Sequence, residues 1–96
     1  MANNQMYFSP NTDTVKEEPQ FVEEFFKMGS RYEGYKLNGM RHGKGKFYYQ
    51  DGGSYDGEWK FNKMSGFGTL YYRSNKKAYE GEWKDDQFQG LGTLYN

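Results

Sequence analysis

The 96-residue sequence predicts an all-β fold, a single-layer antiparallel meander of three β-hairpin repeats behind an N-terminal half-repeat, elongated and solenoid-like. Three observations carry that expectation. Tyr32-Glu33-Gly34, Tyr55-Asp56-Gly57 and Tyr79-Glu80-Gly81 recur at nearly constant spacing, the second interval one position longer than the first, and such self-similarity outranks any other reading of a glycine-rich chain. A Gly-x-Gly follows eleven residues after each tyrosine, as Gly43-Lys44-Gly45, Gly66-Phe67-Gly68 and Gly90-Leu91-Gly92. Ten Tyr, eight Phe and two Trp stand against four Leu, two Val and no Ile. A chain this short buries only roughly 60–65% of its unfolded surface, so rings must do the packing that aliphatics do elsewhere.

The elements follow in order. Residues 1–20 are polar, with Asn, Gln, Thr, Glu and two Pro, and read as a flexible arm. The repeat array takes up 21–96. Residues 21–31 form a half-repeat, because Phe25 to Tyr32 aligns with Tyr48 to Tyr55 and Gly29 with Gly52. Phe21 to Lys27 is therefore a return strand; a short amphipathic helix after Pro19 is the alternative. Full repeats cover 32–54, 55–78 and 79–96. In Tyr55-Asp56-Gly57-Glu58-Trp59-Lys60 and Tyr79-Glu80-Gly81-Glu82-Trp83-Lys84, apolar and charged residues alternate as in a half-buried strand. Phe67 to Tyr72 has the composition of the return strand. Asn38-Gly39 is a hairpin turn, and Asp51 to Ser54 and Ser74 to Lys77 reverse the chain between copies.

The glycines account for the aromatics. Gly34, Gly57 and Gly81 lie beside Tyr32, Tyr55 and Tyr79 on one face, with Trp59 and Trp83 two residues beyond. Both members of each later pair, Gly43 and Gly45, Gly66 and Gly68, Gly90 and Gly92, are expected on that same face, where rings from neighbouring strands lie on bare backbone.

The Tyr-Glu-Gly-Glu-Trp-Lys of residues 79–84, the Arg-His-Gly-Lys-Gly of 41–45 and the Tyr-Tyr-x-Asp-Gly of 48–52 resemble the signature of MORN (membrane occupation and recognition nexus) repeats. The resemblance covers 32–96 and, more loosely, 21–31. It implies a scaffold built of single-layered hairpins, set in a cytoskeletal, ciliary or membrane-contact assembly. In some relatives an aromatic groove takes a partner helix; others contact anionic lipid or precede an enzyme domain. The first copy departs from the pattern, with Tyr35 and Lys36 at the Glu and Trp positions. A bulge in that strand or cover from the N-terminal arm would accommodate the displaced ring. The third copy stops at Tyr95-Asn96, before the usual turn, and the expectation is either a shortened form of a longer array or an open edge that a partner continues.

Composition excludes several functions. Thirteen Lys+Arg balance thirteen Asp+Glu, which lacks the basic footprint of a nucleic-acid binder. No Cys is present, so disulfides, thiolate metal sites and a Cys nucleophile are absent, in keeping with a cytoplasmic setting. No signal peptide and no apolar run of membrane-spanning length is visible. No catalytic constellation, metal site or cofactor motif emerges: His42 reads as a turn residue, and Glu33, Asp56, Glu58, Glu80 and Glu82 read as a solvated face. The expected function is non-enzymatic protein interaction. The face opposite the glycines is expected to take a partner helix or strand through Tyr35, Tyr48, Phe67, Tyr71, Leu91 and Tyr95. The alternatives are weak contact with anionic membranes through Lys60, Lys63, Lys76, Lys77 and Lys84, and service as a regulatory fragment of a larger enzyme.

Overall fold

The structure, a computed structural model, describes residues 18–96. Seven strands follow one another through one open sheet: β1 (Gln20–Phe25), β2 (Arg31–Leu37), β3 (Met40–Tyr48), β4 (Ser54–Lys60), β5 (Lys63–Tyr71), β6 (Lys77–Lys84) and β7 (Gln87–Leu94), each antiparallel to the next. The expected meander is therefore present, and Phe21 to Phe25 belongs to a strand, paired with β2 from Gln20↔Lys36 to Phe25↔Arg31. Of the polar arm read over 1–20, everything before Glu18 lies outside the described residues.

One face carries an aromatic ladder. Tyr32, Tyr55, Trp59, Tyr79 and Trp83 are its buried members, with Val22, Phe47, Tyr49, Met64 and Leu70 packed around them. Each Trp stands edge-on between two tyrosines: Trp59 lies 5.6 Å from Tyr32 and 5.2 Å from Tyr55, and Trp83 lies 5.1 Å from Tyr55 and 5.3 Å from Tyr79. Edge-to-face rings place positive edges on negative faces and add about 0.5–1.5 kcal/mol per pair beyond area burial. The ladder's hydroxyl and indole groups all find partners. Tyr32, Tyr55 and Tyr79 donate their hydroxyl protons to the carbonyls of Tyr35, Glu58 and Glu82 at 2.7, 2.9 and 2.8 Å. Trp59 and Trp83 donate Nε1–H to the carbonyls of Gly45 and Gly68, both at 3.0 Å, which fastens each repeat to the one before it.

The ladder needs glycine beneath it. A Cβ on Gly45, Gly68 or Gly92 would enter the ring of Tyr32, Tyr55 or Tyr79, and one on Gly34, Gly57 or Gly81 would meet the backbone of the paired glycine. The first glycine of each Gly-x-Gly has another task, which corrects the expectation that both members face the rings. Three residues of the return strand oppose one of the outgoing strand between Gly57↔Gly68 and Trp59↔Met64, and likewise in the other two hairpins. Gly43, Gly66 and Gly90 sit in these bulges with φ of 100, 105 and 61°, a left-handed conformation that glycine adopts without a steric penalty. The register also explains why the second interval between repeats is the longer. Its extra residue is taken up between Leu70↔Tyr79 and Tyr71↔Lys77, at buried Ala78.

Two kinds of turn alternate. Two-residue turns join the arms of each hairpin at Asn38-Gly39, Phe61-Asn62 and Asp85-Asp86, all with positive φ at both positions. Each later tip docks on the preceding repeat: Asn62 Oδ1 accepts the Arg41 N–H at 2.9 Å, and Asp86 Oδ1 accepts the Met64 N–H at 2.8 Å. Between repeats, Phe26, Tyr49 and Tyr72 donate N–H to Ser30, Gly53 and Lys76 carbonyls, all at 2.9 Å.

Candidate interaction surface

The face opposite the ladder is organised by the same register. Glu33, Lys46, Asp56, Thr69 and Glu80 stand in cross-strand register, a polar row down the middle of the face. On one side of it run Tyr35, Lys44, Glu58, Phe67, Glu82 and Leu91; on the other run Arg31, Tyr48, Ser54, Tyr71, Lys77 and Tyr95. The six residues expected to meet a partner therefore share one face and fall into two lines, Tyr35, Phe67 and Leu91 in the first and Tyr48, Tyr71 and Tyr95 in the second. In the second line successive members lie two strands apart, about 10 Å; in the first, Phe67 and Leu91 are also two strands apart, while Tyr35 on β2 and Phe67 on β5 are three apart, about 14 Å.

The first line is the more open. Phe67 is 55% and Leu91 79% exposed. Tyr35 is 41% exposed and packs edge-on against Phe21 at 5.5 Å. That contact resolves the departure in the first repeat: the displaced ring is covered by β1, and the bulge beside it lies in β3, not in its own strand. Phe21 and Phe25 extend this face onto β1; sequence reasoning misses them as surface residues although their alternation with Glu23 marks them.

The second line is tied down by charge. The Arg31 guanidinium lies 3.8 Å above the Tyr48 ring, and the Tyr48 hydroxyl donates to Glu33 at 3.3 Å. Tyr95 donates its hydroxyl proton to Glu80 at 3.2 Å, and Lys77 meets the same carboxylate at 3.0 Å. The Lys77 hydrogen bond, with that from Tyr95, holds the Glu80 carboxyl below its ordinary value, and Glu80 in turn raises Lys77.

Two of the carboxylates expected to be merely solvated have a defined task. Glu58 Oε1 accepts the Phe67 N–H at 2.9 Å and Glu82 Oε1 accepts the Leu91 N–H at 3.3 Å. Each carboxylate lies over the bare Cα of its bulge glycine, Gly66 or Gly90. A shallow depression of about 510 Å³ is left between them, lined by Glu58, Gly66, Phe67, Glu82 and Lys84. His42 acts at a tip, its Nδ1 accepting the Phe61 N–H at 3.3 Å with the rings 4.8 Å apart.

The lysines considered for lipid contact are divided between the two ends of the strands. Lys60, Lys63 and Lys84 flank hairpin tips, while Lys76 and Lys77 sit at the inter-repeat end. Among the described residues, no three His, Asp or Glu side chains converge as a metal site.

A family model described as the MORN repeat matches residues 32–54, 55–77 and 79–95. MORN repeat-containing protein 3 of Xenopus laevis is 48% identical over 42 residues, 43% of this chain. The aligned stretch spans 18% of that relative's length.

Proposed function

The chain belongs to the MORN repeat family, and from that premise we propose that it is a non-enzymatic interaction module whose face opposite the aromatic ladder holds an amphipathic helix of a partner protein. One observation carries the reading: Tyr35, Phe67 and Leu91 form an exposed apolar line across β2, β5 and β7, with about 14 Å between the first two and about 10 Å between the last two. A helix lying across the strands brings one heptad position to the surface at about the interval from Phe67 to Leu91, because seven residues rise about 1.5 Å each. A partner strand, with side chains of one face about 6.8 Å apart, does not keep step with the interval from Phe67 to Leu91. Lys44, Glu58 and Glu82 between the apolar residues then set the register through the partner's flanking charges. A cytoskeletal or ciliary assembly is the setting the family resemblance suggests.

The test places a photo-crosslinking phenylalanine analogue at position 67 and, as a control on the ladder face, at position 72. A partner captured from position 67 and lost in Tyr71→Glu, with circular dichroism unchanged, supports the proposal. Undiminished capture by Tyr71→Glu sinks this face as the site. Salt-sensitive flotation with anionic vesicles, unaffected by Phe67→Glu, would instead favour the lysine-rich strand ends.

A further inference from the structure

The geometry points to the bulge of the first hairpin as a carboxylate site, filled by an acidic side chain of the partner helix. Two equivalents of the site are already occupied from within the chain. In the second and third hairpins the amide that follows the bulge glycine is capped by a carboxylate: Glu58 Oε1 accepts the Phe67 N–H and Glu82 Oε1 accepts the Leu91 N–H. The same two oxygens lie over the bare Cα of Gly66 and Gly90. The first hairpin repeats this backbone. Its ladder skips between Gly34↔Gly45 and Lys36↔Arg41 as the second skips between Gly57↔Gly68 and Trp59↔Met64, and Gly43 has φ of 100° against 105° at Gly66. Lys44 therefore presents its N–H where Phe67 and Leu91 present theirs, but Tyr35 stands at the position of Glu58 and Glu82. The Tyr35 Cβ lies 3.5 Å from where a Cβ on Gly43 would be, and its ring is packed on Phe21 of β1. The first hairpin has kept the donor and lost the acceptor.

The surroundings of that amide have changed to suit an anion from outside. A depression of about 400 Å³ beside it is lined by His42, Gly43, Lys44, Glu58 and Lys60. Its one carboxylate, Glu58, is engaged on the Phe67 N–H, and among the described residues neither Lys44 nor Lys60 is held in an ion pair. His42 accepts the Phe61 N–H on Nδ1, so the neutral ring carries its proton on Nε2 and has a donor to give. In the next hairpin the equivalents of His42 and Lys44 are Ser65 and Phe67, so the imidazole and the added lysine belong to the one hairpin that lacks its own carboxylate. Hydrogen bonds from an amide, an imidazole and ammonium groups to an ionised acceptor are the stronger, charge-assisted kind. The two occupied equivalents show that a carboxylate fits the amide.

Spacing places the carboxylate within the partner, and in this step the inference rests on the helix-binding reading. Lys44, Phe67 and Leu91 are equivalent positions on β3, β5 and β7, each about 10 Å from the next. Seven helical residues rise by about the same distance. A helix that seats apolar side chains at Phe67 and Leu91 therefore carries to Lys44 the residue seven positions further along. The partner segment is one with Asp or Glu, an apolar residue seven positions from it and a second apolar residue seven beyond that.

Titration of the isotope-labelled chain with sodium acetate, followed by amide NMR against sodium chloride at equal ionic strength, reads the site without any partner. The Lys44 amide proton should move downfield and saturate, while those of Phe67 and Leu91 stay in place. Tyr35→Glu should shift the Lys44 amide by itself and abolish its response to acetate, and Glu58→Ala should make the Phe67 amide responsive. A Lys44 amide that acetate leaves unmoved, or that responds no more than Phe67 and Leu91, overturns the site, whether or not the face holds a helix. Two alanine-based helical peptides with leucine at the Phe67 and Leu91 positions, one carrying Glu and the other Gln at the Lys44 position, test the source by fluorescence anisotropy. The Glu peptide should bind about tenfold more tightly or better, and the preference should vanish in Tyr35→Glu. Equal binding of the two overturns the acidic side chain of a helix as the occupant. Binding of neither, with Lys44 still responsive to acetate, upholds the carboxylate site and refutes the helix-binding reading.

Discussion

Replacing Gly68 by Ala puts one methyl group under the centre of the aromatic ladder. The added Cβ would lie 2.6 Å from Tyr55 Cε1 and closer still to the phenol end of the ring. Tyr55 is wholly buried, edge-on to Trp59 and Trp83, with its hydroxyl fixed on the Glu58 carbonyl at 2.9 Å, so it has nowhere to go. Displacing it forfeits that hydrogen bond, about 1–1.5 kcal/mol net, loosens two ring pairs at about 0.5–1.5 kcal/mol each, and adds overpacking strain of roughly 1–3 kcal/mol. The expected loss is roughly 3–7 kcal/mol, a large share of the roughly 5–15 kcal/mol that holds a typical domain, and a fall in melting temperature on the order of 20 °C or more. Urea and thermal unfolding followed by tryptophan fluorescence measure it. Gly39→Ala is the control, since its methyl group would meet nothing within 4 Å and feels only the backbone strain of φ +85°, about 1 kcal/mol. In a Tyr55→Leu background Gly68→Ala should cost less than about 1 kcal/mol, because the colliding ring is gone. If Gly68→Ala and Gly39→Ala cost the same, or the cost persists without Tyr55, the ring bed is not why glycine occupies position 68.

Three further outcomes are expected. Glu58→Ala and Glu82→Ala each strip the acceptor from a bulge N–H and should lower stability by about 1–2 kcal/mol in urea titrations, with Glu58→Gln recovering part of the loss. Trp83→Phe removes the Nε1 hydrogen bond to the Gly68 carbonyl and should cost about 1–2 kcal/mol; amide exchange should quicken in β6 and β7 and remain slow in β2 and β3. Burial raises the Tyr32 hydroxyl to about 12, and burial also raises Tyr55 and Tyr49, against the ordinary 10.0. The unfolded chain therefore loses these protons first. The stability they contribute is complete below about pH 10 and is lost as pH rises through 12, so urea midpoints should be level with respect to these groups below pH 10 and fall above it. Tyrosinate absorbance should show a late-titrating class that is lost in urea.

The repeat is legible because its register is written in residues whose alternatives are sterically impossible. Tyr, Gly and Trp at alternate positions give the strand, the face and the ring bed together, and Gly29 aligned with Gly52 is enough to identify β1. Bulge geometry is not legible. Gly66 and Gly68 look alike in sequence, yet one lies under a carboxylate and the other under a ring, and only the three-against-one count in the ladder separates them. The same gap hides the task of Glu58 and Glu82, since a carboxylate every repeat looks equally like solvent exposure and a backbone acceptor. Tyr35 is recognisable as displaced, but its cover cannot be assigned from sequence, because Phe21 reaches it only through a strand pairing with no fixed spacing in the repeat.

The division of labour between the faces bears on how such a module acquires a partner. The ladder ties Tyr32, Trp59, Tyr55, Trp83 and Tyr79 to one another and to backbone carbonyls, so a change there is felt in two repeats at once. On the other face Lys44, Phe67 and Leu91 sit at equivalent positions with three different side chains, while the carboxylates at 58 and 82 beside them are tied to the backbone. Stability therefore places almost no demand on that line. Phe67→Leu or Leu91→Phe should shift stability by no more than about 0.5 kcal/mol, the range usual for surface substitutions, while changing the affinity for a bound helix, because each side chain fills its own site along the line. If urea titration shows either exchange to destabilise the sheet by about 2 kcal/mol or more, a loss typical of core truncations, the line is part of the core, and the separation of folding from recognition fails.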